Sequence, residues 1–323
     1  MRRRTFLAAA SVTALAGCSG PGSDGESEPS PEEADSDDDA YDADPDGDAY
    51  DADPELTYED VPGLDELVDT ADQYDYLPFD DGWDEQFTVF YDDYDQRIED
   101  DHSDVAFRVT WPADDLYGVT MDLFMEELYG FEPEAAHLRT WVRFPEGWEF
   151  HEDGLGGTKL PGFASRFNGL DEADQGGWGG RAADGTNGWS ARLFNCRPDR
   201  HPEGAGPIAL GTQIYHADAA SEYGDHPRWS DPLEAGAWHQ LDQFVEVNEA
   251  GEPDGTFLGW VDGELSIAID DLYMRDPGYE DIAVESLWFV CYFGGDWGSP
   301  VDQHVDFDDL QLWLWPERPN VTL

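Results

Sequence analysis

Lysine is almost absent from this chain of 323 residues. Sixteen basic residues face seventy-five acidic ones, and Lys159 is the one lysine, the rest being arginines. The formal net charge of −59 leaves no broad basic face to displace counterions, which excludes nucleic acid as a partner. Cysteine is scarce too: Cys18, Cys196 and Cys291 are too few for a disulfide framework. The eight histidines show no metal-ligand spacing, so neither a metal nor a cofactor is expected. Helical periodicity is confined to Leu64–Asp72 and Met121–Tyr129.

Dense acid extends beyond any single tail. In ordinary salt so much like charge opposes compaction, whereas molar salt cuts the screening length to roughly 3 Å. The composition therefore resembles that of an extreme halophile. At the N-terminus, Arg2-Arg3-Arg4-Thr5-Phe6-Leu7 and the apolar run Ala8 to Ala16 end at Leu15-Ala16-Gly17-Cys18. The run is too short to span a bilayer. Adjacent arginines resemble a twin-arginine export signal and the closing tetrapeptide a lipobox, in which Cys18 would be lipidated, as in a haloarchaeal lipoprotein. Residues 1–18 are read as this signal and 19–60 as an acidic, self-repelling linker with a repeated Asp-Ala-Tyr-Asp-Ala-Asp-Pro unit. The expected location is the outer face of the cell membrane, lipid-anchored or secreted, and the expected state a monomer.

Aromatic residues make up 14% of the chain and glycine is abundant. From about residue 105 the pattern is short β-type runs broken by Gly, Pro, Asn and Asp: Val105–Thr110, Leu138–Phe144, Gly188–Asn195, Ile208–Ala217, Trp238–Asn248, Thr256–Val261, Glu264–Ile269, Leu287–Phe293 and Val305–Trp315. This predicts an all-β fold, a two-sheet sandwich of the jelly-roll kind over 105–323, with 61–104 as an N-terminal extension of undefined structure. Cys196 and Cys291 fit either one disulfide or two small buried residues.

An ammonium can lose its proton near neutral pH when its surroundings lower its pKa, and a guanidinium cannot. That makes Lys159, in Gly156-Gly157-Thr158-Lys159-Leu160-Pro161-Gly162, a candidate for proton transfer, although a solvated lysine beside a Gly-Pro turn accounts for the same residues. Period-two alternation puts Trp189, Ala191 and Leu193 on one face and Ser190 with Arg192 on the other. Gln213 and Tyr215 likewise share a face, so the four polar residues form a patch on an exposed, concave side if their strands adjoin. Lys159, Arg166, Arg181, Arg192, Arg197 and Arg200 concentrate positive charge in about forty positions of an acidic chain. Cations in an aromatic-walled cleft suit a polymeric anion with apolar sugar faces, hence an acidic polysaccharide. A network of ion pairs with neighbouring aspartates would look the same in sequence.

Several segments, in order, resemble the secreted polysaccharide lyases of the alginate and glucuronan lyase type, the family 14-like jelly rolls. They are Val142 to Trp148, Gly157 to Gly162, Trp189 to Leu193, Gly236 to Leu241, Asn248 to Gly255, Trp260 to Gly263 and Phe293 to Gly298. The resemblance implies a carbohydrate cleft across one sheet, with Lys159, Ser190, Arg192 and Tyr215 at positions that line the active site. This chain departs from the family's Tyr-x-Tyr pair in reading Gln213-Ile214-Tyr215. Glutamine can orient a hydroxyl but moves no proton near neutral pH.

The implied chemistry is β-elimination at a uronate. Arg192 would hold the carboxylate, Lys159 and Tyr215 would divide the roles of base and acid, and Ser190, Gln213, Arg166 and Arg181 would bind sugar. A non-catalytic carbohydrate-binding surface lipoprotein on the same fold is the alternative.

Overall fold

The computed structural model describes residues 61–323 except 93, 94, 101, 155, 202–205, 295, 296 and 322. The twin arginines, Cys18 and the acidic linker lie outside the described residues, as do Gly295 and Asp296. In chain order the elements are α1 (Leu64–Val68), β1 (Gln73–Leu77), β2 (Thr88–Tyr91), β3 (Asp95–Asp100), β4 (Asp104–Trp111), β5 (Tyr117–Phe124), α2 (Met125–Tyr129), β6 (Ala135–Arg143), β7 (Lys159–Ser165), β8 (Trp189–Cys196), β9 (Ala209–Tyr215), β10 (His239–Glu246), β11 (Gly255–Val261), β12 (Glu264–Leu272), β13 (Ser286–Tyr292) and β14 (Gln303–Trp315). They form two antiparallel sheets packed as a sandwich. One is ordered β12-β11-β10-β6-β14-β4-β3, with β1 also paired to β14, and the other β2-β5-β13-β7-β8-β9.

The core lies between the sheets and follows the alternation of the strands. Phe107, Val109 and Trp111 of β4 and Leu138 and Val142 of β6 meet Leu123, Phe163, Trp189, Leu193 and Phe289 from the facing sheet. Removing one such aromatic side chain down to alanine costs about 3–5 kcal/mol. In β14 the inward set changes parity, from Val305 and Phe307 to Leu310, Leu312 and Leu314. A bulge between Asp308 and Gln311, with Asp309 at φ 49°, supplies the extra residue. The outer face of the larger sheet is partly closed by α1 and the C-terminal tail, where Leu67, Trp260 and Trp315 cluster with Val321 and Leu323.

All nine sequence-predicted strands are present within a few residues of their expected limits. Within 105–323 two strands were not legible, besides β1, β2 and β3 in the stretch 61–104. β5 runs into the stretch expected to be helical, Met121–Tyr129, of which only Met125–Tyr129 is helix, because Met121 and Leu123 alternate into the core while Asp122 faces outward. β7 was hidden by Pro161 and Gly162, residues that ordinarily mark a turn. The predicted helix Leu64–Asp72 shortens to Leu64–Val68. The stretch 61–104 supplies β1 and β3 to one sheet and β2 to the other, so it belongs to the sandwich edges. Cys196 and Cys291 are both free and buried.

Candidate active site

The site is built on the outer face of the smaller sheet, from β7, β8 and β9. Ser190 pairs with Tyr215 and Arg192 with Gln213 in register, so the predicted polar patch exists as one ladder. Lys159 joins it through a β-bulge. It pairs with Phe194, whereas Gly162 pairs with Arg192, so three steps along β7 match two along β8. The extra residue lets Leu160 and Phe163 both enter the core while Lys159 turns outward.

The patch is closed, in contrast to the exposed concave surface expected. Exposure is 7% for Lys159, 1% for Arg192, 2% for Tyr215, 5% for Gln213 and nil for Ser190. The connection between β7 and β8 covers it. Trp178, in the run Gly176-Gly177-Trp178-Gly179-Gly180, packs over Ala164, Trp288 and Val290. Ser190 Oγ donates to the Gly177 carbonyl at 2.6 Å, and the Gly180 N–H donates to the Tyr215 hydroxyl at 3.3 Å. Beyond β9, the segment around Asp225 to Trp229 runs alongside as an irregular edge, bridged at Ile214 to Asp225 and at Gly211 to Arg228.

Arg192 differs from most of the arginines. Arg108 and Arg143 share Asp306, Arg139 pairs with Asp242, Arg166 with Asp122, Arg275 with Glu134 and Arg318 with Glu246. Arg192 has no carboxylate partner among the described residues. Its Nη2 donates to Gln213 Oε1 at 3.1 Å, while its buried Nε and Nη1 have no hydrogen-bond partner. A buried guanidinium with undirected donors and no carboxylate partner attracts an anion to either of them.

Lys159 lies beside it. Its Nζ is 5.1 Å from the centre of the Phe194 ring, and a Cβ added at Gly294 would stand 3.5 Å from its Cε. Burial, reinforced by the Arg192 and Arg228 guanidiniums, holds its pKa well below the usual lysine range, against a smaller opposing influence of Cys196. The neutral amine is thereby favoured, which gives Lys159 a free electron pair.

The other predicted residues divide. Gln213 holds its neighbours: beyond its bond from Arg192, its Nε2 donates to the Tyr215 hydroxyl at 3.4 Å and to the Tyr223 carbonyl at 2.8 Å. Ser190 anchors the covering loop, and its single hydroxyl donor is used there. Arg166 is buried and grips both oxygens of Asp122, at 2.6 and 2.7 Å. Arg181 stands outside the ladder, with its guanidinium over Trp178 at 4.1 Å and its Nη1 donating to the Glu172 carbonyl at 2.9 Å. It lines a separate cavity with Gln175, Asn187 and Tyr279. Arg197 is likewise spent, on the Glu152 carbonyl and Asp199.

Sequence reasoning missed Arg228, His226, Phe194 and Trp288. Arg228 lies 4.8 Å from the Phe194 ring centre, and the His226 ring meets Phe194 edge-on at 5.8 Å. Desolvation, then Lys159, Arg228 and Arg192, push the His226 pKa well below the usual histidine range. Phe194 and Trp288 could have been found by carrying the alternation of Ser190 and Arg192 one step on and across the sheet. Arg228 and His226 carry no strand pattern and gave no signal.

A sequence profile of the family described as polysaccharide lyase 14 matches residues 124–310, more than half of the chain. Among solved structures, the marine PL-14 alginate lyase from Aplysia kurodai is 18% identical with a TM-score of 0.55, covering 79% of this chain and 96% of that one. The alginate lyase vAL-1 from Chlorella virus is 16% identical with a TM-score of 0.52, covering 72% and 94%. The alginate lyase Aly36B is 20% identical with a TM-score of 0.52, covering 68% and 84%. At these identities the structural likeness is one of fold, the jelly roll. No functionally curated protein matches the sequence.

Proposed function

The chain belongs to the polysaccharide lyase 14 family, and from that premise we propose that it cleaves an anionic polysaccharide at uronate residues by β-elimination, at the outer face of a membrane to which lipid on Cys18 tethers it. The observation that carries this reading is Arg192, buried and, among the described residues, without a carboxylate partner and with Nε and Nη1 undirected.

A uronate carboxylate accepting from one of those donors and lying against the guanidinium charge is neutralised, which acidifies the proton on the neighbouring C5. The Lys159 amine, kept neutral by burial and by the adjacent guanidiniums, takes that proton. The C–H electron pair becomes the C4–C5 π bond and the C4–O glycosidic bond breaks. Tyr215 gives its hydroxyl proton to the departing oxygen. The phenolate left behind faces two N–H donors, from Gly180 and from Gln213. Resting states return when Lys159 releases its proton to water and Tyr215 regains one. This account needs one phenol, and Gln213 in place of a second tyrosine serves as the link between Arg192 and Tyr215.

Similarity to alginate lyases makes alginate the first polymer to test, with glucuronan beside it. The test is ultraviolet absorbance of unsaturated uronate products in roughly molar salt. Product formation is the expected result. Binding of oligouronates without product would assign the carbohydrate-binding alternative, and absence of binding would overturn the uronate reading.

A further inference from the structure

Asp122, Trp288, Gly162, Arg192 and Gln213 stand opposite one another across β5, β13, β7, β8 and β9. The middle position has no side chain. A Cβ at Gly162 would lie 2.1 Å from the Ala191 carbonyl oxygen, so glycine is what the close approach of β7 and β8 admits. Over that gap, residues two strands apart meet: the Arg192 guanidinium carbon is 4.1 Å from the centre of the Trp288 ring. The Arg166 guanidinium carbon lies 3.6 Å from the same ring. Asp122 fixes Arg166 and also accepts from Ser286 Oγ at 2.7 Å. From Asp122 to Gln213 the contacts are continuous; among the described residues the buried Nε of Arg166, Nε1 of Trp288 and both Nε and Nη1 of Arg192 have no hydrogen-bond partner, and of the two guanidiniums Arg192 is the one without a carboxylate.

We infer that Trp288, braced by Arg166 and Asp122, is a positioning residue that sets the plane of the Arg192 guanidinium so that an undirected donor, Nε or Nη1, meets the substrate carboxylate. A guanidinium held by a single hydrogen bond, from Nη2 to Gln213, would still rotate about that bond. The ring removes this freedom, and guanidinium planes pack well on aromatic faces. The inference rests on the uronate reading of the site.

The test is a double-mutant cycle in the full chain, with Trp288→Leu and Arg192→Lys, read on kcat, KM and affinity for an oligouronate. Lysine keeps the charge but has no plane to orient. Trp288→Leu is expected to lower kcat/KM by about tenfold or more. Trp288→Phe, which keeps a ring, should recover most of that loss. In the Arg192→Lys background, Trp288→Leu should cost less than about threefold. An equal loss in both backgrounds would mean that Trp288 only supports the sheet, and would overturn the inference. Should Trp288→Leu fail to fold, the same cycle with Trp288→Met, which also removes the ring but fills more of its space, decides it. Wild-type affinity and turnover in Arg192→Lys would instead overturn the uronate reading itself. Loss in Arg192→Lys with none in Trp288→Leu would overturn the positioning role alone.

Discussion

The Gly180 N–H donates to the Tyr215 hydroxyl across 3.3 Å, which ties the covering loop to the proposed acid. Lys159, Arg192 and Tyr215 are all buried, so the proposed cleavage of a polymer at them requires the loop to give way first. Gly177, Gly179 and Gly180, all at positive φ, are suited to that change.

Loosening the loop should therefore speed access. Trp178→Ala removes the packing on Ala164, Trp288 and Val290 and is expected to raise the association rate of an oligouronate, with a larger rise in its dissociation rate. Stopped-flow binding checks this. An unchanged association rate would mean that the loop does not gate the site.

Lys159 should cost stability while supplying chemistry. Its folded pKa lies well below that of the unfolded chain, about 10.4. Between the two values the unfolded state holds more protons, so stability rises with pH through that window and carries the full penalty below it. Lys159→Met should raise Tm at neutral pH, with the gain shrinking as pH approaches the unfolded value, and should abolish turnover. Lys159→Arg should retain oligouronate affinity but lose about a hundredfold or more in turnover, since it cannot act as a base. A lower Tm for Lys159→Met at neutral pH would contradict the buried, destabilised ammonium.

Charge sets the working solvent. With a formal net charge of −59, moving from molar salt to about 0.1 M lengthens the screening distance from roughly 3 to roughly 10 Å. Tm is expected to fall substantially across that range by calorimetry or circular dichroism. A flat response would remove the halophilic reading.

The membrane tether has its own test. Cys18→Ser is expected to shift the protein from the membrane fraction to the medium, or to leave an unprocessed precursor. Fractionation and gel migration identical to wild type would rule out the lipid anchor.

The alternation of Trp189, Ala191 and Leu193 against Ser190 and Arg192 was readable because period two is a local property of a strand, and the same holds for most of the sandwich. The single lysine was visible by counting, and the ladder of Ser190, Arg192, Gln213 and Tyr215 followed once β8 and β9 adjoined. Local pattern could not reveal that Lys159 faces that ladder, because the β7 bulge that turns it outward exists only where β7 registers against β8. Nor could it separate Arg192 from Arg166. Both are buried arginines, and only the long-range pairing of β5 with β13 and of β13 with β7 brings Asp122 to Arg166 and leaves Arg192 without a carboxylate among the described residues. Residue chemistry and strand periodicity are thus fixed along the chain, whereas which charges find partners depends on contacts between residues far apart in sequence, and so on the tertiary fold.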